Sequence, residues 1–387
     1  RQIMAEGKIR STDEKFMRRA LTLARKGEGS VSPNPLVGAV IVREGRIIGE
    51  GWHRCCGENH AEINAIRDAT ETVAGATFYI TLEPCSHHGR TPPCAEALIA
   101  CRPGRVVVGA VDPNPLVSGR GIEALRQSGI ETEVGLLEEA CRESNRIFFK
   151  YIRTGLPYVT LKFAQTLDGR IAAASGHSRW ISSPPSLRFA HRLRAVHDAI
   201  LVGADTVRMD NPELTCRLVR GRNPLRIVVD SGLRLPPDAT IFSDGKRTVA
   251  VATRRAPVEN RRLLEKKGVE VLEIGEDPAG RVDLHQLLTV LGKRKISSVL
   301  VEGGAAVATA FLKGNLVNRL LIVLAPKIVG GGVNAVGDLG IRRMDDALGF
   351  SFQRFTRCGA DLILDARIGC PTIEPAAPPP GSRRGRS

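Results

Sequence analysis

Apolar and polar residues recur with two different periods along the first 150 residues of the chain. Residues 13–26 carry apolar side chains at the spacing of one helical face, which predicts a helix. Residues 37–42 and 46–50 are apolar stretches on either side of Glu44-Gly45, which predicts a β-hairpin. Further helices are predicted at 60–69, 94–100 and 121–127, and strands at 77–81 and 106–108.

The alternation of strands and helices resumes after residues 153–157, which we interpret as a short linker. Because helices separate the strands, the pattern predicts a mostly parallel sheet and an α/β fold class. Residues 371–387 are mainly Pro, Ala, Gly, Ser and Arg, so we predict a disordered tail. The predicted strands are 158–163, 199–202, 226–229, 249–251, 298–301 and 320–324, with a helix at 186–195.

Length and composition predict a globular protein of two domains. The chain has 387 residues, of which 42% are hydrophobic and 25% charged, and this length suits two domains of about 150 to 200 residues. No apolar run reaches the roughly 18 residues of a membrane span. Residues 1–13 lack the apolar segment of a secretion signal. We therefore expect a cytoplasmic protein with no membrane partner.

The net charge of +15 raises the question of nucleic-acid binding. Such binding favours a clustered basic face with aromatic residues for stacking. Here only 4% of residues are aromatic and the basic residues are scattered. We therefore expect no nucleic-acid partner. Phosphorylated small molecules would account for part of the excess charge, and solvated surface for the rest.

The nine cysteines do not form the even-numbered framework typical of disulfide scaffolds. Cys55-Cys56 beside His53 could form a second metal cluster, but no matching pair exists elsewhere in the sequence, so we favour one zinc ion per chain. Four other cysteines lie in or beside apolar stretches and are expected to be small, buried or part-buried hydrophobic residues. These are Cys101, Cys141, Cys216 and Cys358.

One constellation points to metal chemistry: His60-Ala61-Glu62 is followed by Cys85 and Cys94. One imidazole and two thiolates can hold zinc and leave its fourth position for water, which zinc acidifies. Glu62 would take the water proton and deliver it to a ring nitrogen and then to leaving ammonia. This is the pattern of a zinc deaminase, although eight residues separate the cysteines instead of the usual two. A structural zinc site with His87 or His88 as fourth ligand is the main alternative.

Longer motifs around these ligands resemble the bifunctional deaminase/reductase family of riboflavin biosynthesis. They are 34–39, 60–62, 83–94 and 112–115, and the resemblance extends over about residues 16–366. It implies a cytidine-deaminase-like three-layer α/β/α domain at 13–152 that deaminates 2,5-diamino-6-(ribosylamino)pyrimidinone 5′-phosphate at the ring 2-amino group. The substrate-binding residues that it implies are Asn34, His53, His87, Arg90, Asp112 and Asn114.

The second half contains no P-loop, no G-x-G-x-x-G fingerprint and no nucleophile elbow. It does contain Gly303-Gly304 between a predicted strand and the helix predicted at 305–312. Two glycines at such a turn allow a phosphate to approach the helix N-terminus, although turn geometry alone also explains them.

Segments 161–170, 176–181, 202–207, 210–217 and 301–304 resemble the reductase half of the same family. They imply a dihydrofolate-reductase-like α/β domain at 157–368, in which NADPH reduces the ribosyl chain to a ribityl chain. The implied NADPH residues are Ala164, Trp180, Thr206, Asp210, Ser231 and Gly304. The implied substrate residues are Lys162, Ser178, Arg194, Leu214, Arg217 and Glu302.

Physical chemistry supports some of these roles and leaves alternatives for others. Arg194 and Arg217 can grip a phosphate through two hydrogen bonds each, but they could also form surface charges or ion pairs. Lys162 would act catalytically by polarising or protonating the opening ribose oxygen. Trp180 could instead be a core residue.

Two other functions remain open at this point. One is a tRNA or nucleoside deaminase with an accessory binding domain, and the other is a zinc-stabilised binding protein without enzymatic activity. The bifunctional enzyme, assembled as a homo-oligomer, is the prediction that the motifs favour.

Overall fold

The computed structural model describes residues 2–86, 93–115 and 117–368. Its N-terminal half is built on a five-stranded sheet. The strands are β1 (Gly38–Arg43), β2 (Arg46–Trp52), β3 (Thr77–Leu82), β4 (Arg105–Ala110) and β5 (Glu131–Val134). The helices are α1 (Gln2–Ala24), α2 (Ala61–Asp68), α3 (Cys94–Cys101), α4 (Arg120–Gln127), α5 (Glu138–Ser144) and α6 (Arg146–Thr154), with a short 3₁₀ turn at Arg25–Gly27.

The strand order of this sheet is β2-β1-β3-β4-β5, and β1 runs antiparallel to both of its neighbours. Helices cover both faces. A Cβ atom on Gly38 would lie 1.9 Å from the Ala20 carbonyl oxygen of α1, and one on Gly51 would lie 2.2 Å from the Ala61 carbonyl oxygen of α2. Because Gly51 pairs with Ala39, the neighbour of Gly38, the two glycines point to opposite faces. The result is the expected three-layer α/β/α arrangement.

The C-terminal half is built on a nine-stranded sheet of order β11-β10-β9-β8-β12-β6-β13-β16-β15, and β7 and β14 pair separately. The strands are β6 (Tyr158–Thr166), β7 (Arg170–Ala173), β8 (Ala199–Gly203), β9 (Leu225–Val229), β10 (Thr248–Ala252), β11 (Glu270–Glu273), β12 (Ser298–Val301), β13 (Arg319–Ala325), β14 (Gly332–Asn334), β15 (Phe350–Cys358) and β16 (Asp361–Ile368). The helices are α7 (Pro184–Val196), α8 (Ala204–Asp210), α9 (Thr240–Ser243), α10 (Val258–Lys266), α11 (Leu284–Lys293) and α12 (Ala305–Lys313), with a 3₁₀ turn at Met344–Asp346.

Seven neighbouring strands of the large sheet, from β11 to β13, are parallel, which confirms the predicted mostly parallel sheet. Its two faces are both covered, as expected for strands that are apolar throughout. On β12, Val299 and Val301 belong to one core and Leu300 to the other. The antiparallel hairpin β15–β16 extends one edge and was not predicted.

Two predicted boundaries were wrong. The first helix begins at Gln2 instead of residue 13. The predicted linker at 153–157 is shorter, because α6 continues to Thr154 and ends at Gly155, which has a positive φ of 68°. Helices end readily at such a glycine because it carries no Cβ atom. The predicted disordered tail at 371–387 lies outside the described residues.

Side chains bond across the junction of the two halves. The Ser32 hydroxyl donates to Asp198 Oδ2 at 2.6 Å, and Lys150 Nζ donates to Asn318 Oδ1 at 2.6 Å. The Tyr151 hydroxyl donates to the Gly292 carbonyl oxygen at 3.0 Å. The two sheets are therefore joined by side-chain contacts as well as by the chain.

Within the described ranges, no helix has both the length and the apolar character to cross a membrane.

Candidate active sites

Three predicted metal ligands meet at one end of the five-stranded sheet. His60 immediately precedes α2, Cys94 is the first residue of α3, and Cys85 follows β3. His60 Nδ1 lies 3.5 Å from Cys85 Sγ and 3.2 Å from Cys94 Sγ, and all three ligand atoms lie within 4.8 Å of one another. Residues that are far apart in sequence are thus brought together because the two helices start beside the end of the same strand.

These three residues fit a zinc ion. Zinc bonds of about 2.0 Å to nitrogen and about 2.3 Å to sulfur in a tetrahedron separate the two atoms by about 3.5 Å, close to the distances observed. The hydrogen bond with Cys94 is the largest influence on Cys85, and together with His60 it lowers the pKa of the Cys85 thiol well below its usual value. The Cys94 backbone N–H also donates to Cys85 Sγ at 3.3 Å. A zinc ion held by His60, Cys85 and Cys94 would supply the Lewis acid that activates a water molecule.

Glu62 is placed one residue into α2, next to the ligands, and is 3% exposed. Its Oε2 atom is buried and has no hydrogen-bond partner. Burial is the largest influence on this carboxyl group and raises its pKa to about 7. A carboxyl group with a pKa near neutrality can both accept and release a proton, which suits the predicted proton carrier.

Asp112 and Asn114, which are predicted to bind substrate, lie in a loop held by Glu83. Glu83 is buried, and its Oε2 accepts hydrogen bonds from the backbone N–H groups of Asp112 at 3.1 Å and Gly119 at 3.0 Å. Its Oε1 accepts from Gly121 at 3.0 Å and Ile122 at 3.4 Å, in the first turn of α4. The sequence motif contains Glu83, but sequence reasoning assigned it no role.

Asn34 and His53 line the same cavity as His60, Cys85 and Glu62. Asn34 Nδ2 lies 3.2 Å from His53 Nε2, and His53 Nδ1 lies 3.2 Å from the Asn59 carbonyl oxygen. The cavity has a volume of about 470 Å³, which is within the range of small-molecule sites. The predicted residues His87 and Arg90, and the alternative ligand His88, lie outside the described residues.

The other cysteines behave as expected for small apolar residues. Cys141 and Cys216 are buried, and Cys101 and Cys358 are partly buried. Cys55 and Cys56 are exposed, and among the described residues His60, Cys85 and Cys94 form the single group with metal-binding geometry.

Four charged or titratable side chains meet beside β6 in the second half. Arg194 on α7 binds Glu302 through two hydrogen bonds, Nη2 to Oε2 at 2.6 Å and Nε to Oε1 at 3.3 Å. Burial alone would raise the pKa of Glu302, but the charges of Arg194 and Lys162 outweigh it and hold that pKa at about 2. Burial lowers the pKa of Lys162. Arg194 therefore forms the ion pair that was the alternative to substrate binding, and the pair lies beside Lys162.

His191 belongs to this group but was missed from the sequence. Burial, followed by the charges of Arg194 and Arg217, lowers its pKa to about 4. It is three residues before Arg194 on α7, so both side chains lie on one helical face. This three-residue spacing on a predicted helix was the feature of the sequence that could have identified His191 as a neighbour of Arg194.

The structure also shows the surroundings of other residues assigned to the reductase site. The Ser178 hydroxyl donates to Asp210 Oδ1 at 3.1 Å. Leu214 is buried, while Arg217 is half exposed and lies 3.7 Å from Glu213. Trp180 is 64% exposed, so the alternative that it is a core residue is wrong.

Three of the predicted cofactor residues follow the carboxyl ends of parallel strands, where α/β sheets commonly bind ligands: Thr206 after β8, Ser231 after β9 and Gly304 after β12. The Gly304 N–H donates to Thr206 Oγ1 at 2.9 Å, which links two of them. Ser231 lines a cavity of about 500 Å³ together with Gly203 and Val307. A Cβ on Gly203 would lie 2.5 Å from Val307 Cγ2, so α12 approaches β8 closely. Ala164 follows Lys162 by two positions on β6, so their side chains lie on the same face of the sheet. Ser231 is the only one of the six predicted cofactor residues among the described residues that line the cavity of about 500 Å³.

Comparisons with known proteins agree with this architecture. Residues 10–110 match the cytidine and deoxycytidylate deaminase zinc-binding region, and residues 157–364 match the RibD C-terminal domain. The fold and its sites define a two-part enzyme, a zinc deaminase joined to an NADPH-dependent reductase. The chain belongs to the RibD family of riboflavin biosynthesis, whose members combine these two activities.

The relatives are similar over nearly their whole length. Riboflavin biosynthesis protein RibD of Aquifex aeolicus (strain VF5) is 44% identical over 92% of this chain and 98% of its own. RibD of Escherichia coli (strain K12) is 43% identical over 91% of this chain and 98% of its own. Among solved structures, form 1 of Acinetobacter baumannii RibD has a TM-score of 0.84 at 38% identity and covers 93% of this chain and 100% of its own. The Thermotoga maritima diaminohydroxyphosphoribosylaminopyrimidine deaminase/5-amino-6-(5-phosphoribosylamino)uracil reductase has a TM-score of 0.82 at 38% identity. It covers 93% of this chain and 99% of its own.

These similarities confirm the predicted family, fold class and pair of enzymatic activities. They exclude the alternative of a zinc-stabilised protein without enzymatic activity. They also speak against a tRNA or nucleoside deaminase with an accessory domain, because the second half matches the family's reductase domain.

Proposed function

We propose that the domain at 13–152 deaminates 2,5-diamino-6-(ribosylamino)pyrimidinone 5′-phosphate, and that the domain at 157–368 reduces the product to 5-amino-6-(5-phosphoribitylamino)uracil. The observation that carries the proposal is the cluster of His60, Cys85 and Cys94 beside a cavity that His60, Cys85 and Glu62 line. The name of the Thermotoga maritima relative supports the choice of substrate.

In the deaminase site, Glu62 takes a proton from the attacking water and delivers it to the ring nitrogen. It then takes the second proton from the hydroxyl group of the tetrahedral addition intermediate and delivers it to the amino group, which leaves as ammonia while the C=O bond forms. Its partnerless buried oxygen supports this role. Asn34, Asp112 and Asn114 bind the pyrimidine edge, because amide and carboxylate groups can pair with ring donors and acceptors. His53 orients Asn34 through their hydrogen bond. His87 and Arg90, which lie between the two cysteine ligands in the sequence, contact the substrate.

In the reductase site, Lys162 protonates or polarises the opening ribose oxygen. Glu302 accepts hydrogen bonds from ribose hydroxyls, while Arg194 holds Glu302 in place and Arg217 binds the phosphate. Arg217 is well suited to this role because it is half exposed and its carboxylate contact is long. Ser178 and Leu214 complete the substrate side.

NADPH supplies the hydride in this half. Ala164, Trp180, Thr206, Asp210, Ser231 and the Gly304 turn form its binding surface. The protein's contribution is to position two reactants, so no nucleophilic side chain is required.

The decisive experiment incubates the zinc-loaded protein with the diaminopyrimidine phosphate and follows ammonia release and NADPH absorbance together. Ammonia release that precedes NADPH oxidation is the expected result. A protein that instead shifts tRNA in a salt-sensitive gel assay, with no turnover of the pyrimidine phosphate, would contradict the proposal. Analytical ultracentrifugation of the same sample tests the proposed homo-oligomer.

A further inference from the structure

The deaminase cavity is not built by the N-terminal half alone. Its lining includes Tyr151 from α6 and Lys295, which lies in the turn between α11 and β12 of the reductase half. Lys295 has a positive φ of 63°, and its backbone N–H donates to the Gly292 carbonyl oxygen at 2.9 Å. A tight turn therefore presents this lysine at the cavity rim.

Contacts across the junction hold that turn in place. The Gly292 carbonyl oxygen also accepts the hydrogen bond from the Tyr151 hydroxyl. A Cβ on Gly292 would lie 1.9 Å from the Gly155 carbonyl oxygen, so the end of α11 touches the backbone that connects the two sheets. Because both contacts are within three residues of Lys295, the position of the lysine relative to the deaminase cavity is well determined.

The charge of the cavity makes this lysine unusual. The carboxyl groups of Glu58, Glu62, Glu83 and Asp112 line the cavity, whereas Lys295 is the only lysine or arginine among the described lining residues. The Lys295 side chain is exposed and forms no hydrogen bond or ion pair with any residue that the structure describes. A cation without an acidic partner at the rim of a cavity is available for an anionic ligand.

The substrate of the proposed function has one strongly anionic group, its 5′-phosphate. The ring must lie beside His60 and Glu62, where the chemistry occurs, so the phosphate extends toward the rim. We propose, building on that function, that Lys295 binds the 5′-phosphate of the deaminase substrate, so that the reductase half completes the deaminase site. Lysine binds phosphate as a point charge.

The test compares two substrates in full-length, zinc-loaded protein. Lys295→Gln removes the charge but keeps most of the side-chain length. It should raise the KM for deamination of the phosphorylated substrate roughly tenfold or more, the usual loss for one charged hydrogen bond, with kcat little changed. The KM for the dephosphorylated substrate should be the same in variant and wild type, and Lys295→Arg should restore most of the affinity.

Lys293→Gln is the matched control, because Lys293 is an exposed lysine of the same helix end and does not line the cavity. NADPH oxidation with the deaminated substrate reports that each variant is folded. An unchanged KM in Lys295→Gln, or an equal rise for both substrates, overturns the inference and leaves the proposed function standing. Failure of the wild type to deaminate the pyrimidine phosphate overturns the proposed function and this inference with it.

Discussion

Replacing Glu83 with glutamine should both destabilise the N-terminal half and impair deamination. Each carboxylate oxygen of Glu83 accepts two backbone N–H groups, from Asp112 and Gly119 on one side and from Gly121 and Ile122 on the other. In glutamine, one oxygen becomes an NH₂ group that donates and cannot accept. Two backbone N–H groups are therefore left facing another donor in a buried site.

The magnitude follows from the number of bonds lost. A hydrogen bond to a charged acceptor contributes about 1.5–3 kcal/mol, so two lost bonds cost about 3–6 kcal/mol. This is a large fraction of the stability of a typical domain, about 5–15 kcal/mol. The loss of the carboxylate charge at the first turn of α4 adds to the cost.

Urea unfolding measured by tryptophan fluorescence tests this prediction. Trp52 is on β2 of the small sheet and is partly buried, whereas the other tryptophan, Trp180, is exposed. Glu139→Gln, an exposed change on α5, is the matched control. If Glu83→Gln shifts the unfolding free energy by no more than the control does, the carboxylate is not holding the loop and the reasoning is wrong.

Four further outcomes are expected. Glu62→Gln should slow ammonia release by about 10²–10⁴-fold and spare NADPH oxidation when the deaminated substrate is supplied; full deamination would exclude Glu62 as proton carrier. Lys162→Ala and Arg217→Ala should slow NADPH oxidation but not ammonia release, and equal loss of both activities would contradict separate sites. Removing zinc with a chelator should reversibly stop ammonia release but leave NADPH oxidation with the deaminated substrate unchanged; an unaffected rate of ammonia release would refute the zinc mechanism. Burial lowers the pKa of His197 from 6.5 to about 4, so as the pH falls the imidazole is protonated in the unfolded chain before it is protonated in the folded protein. The free energy of unfolding should therefore decrease by up to about 3 kcal/mol between these two pH values. His197→Gln should make the free energy of unfolding less dependent on pH over this range.

The amino-acid sequence by itself determined the local structure and the type of chemistry. Strands and helices such as β12 and α12 were predictable because their apolar periodicity and flanking glycines are local properties. The zinc ligands were predictable because His-x-Glu and a Pro-Cys pair are rare combinations whose chemistry depends on residue type. The antiparallel hairpin β15–β16 was missed because β15 is largely exposed and has no apolar run.

Only the tertiary structure decided which distant groups meet. Nothing local to Glu83 indicates that it binds the backbone of the loop after β4, and nothing local to Lys295 indicates that it lies beside a zinc site in the other half. Likewise, Arg194 on α7 and Glu302, which directly follows β12, form an ion pair although 108 positions separate them in the sequence. These contacts depend on how whole sheets and helices pack together, and that packing is set by long-range burial of apolar surface, which no short segment encodes.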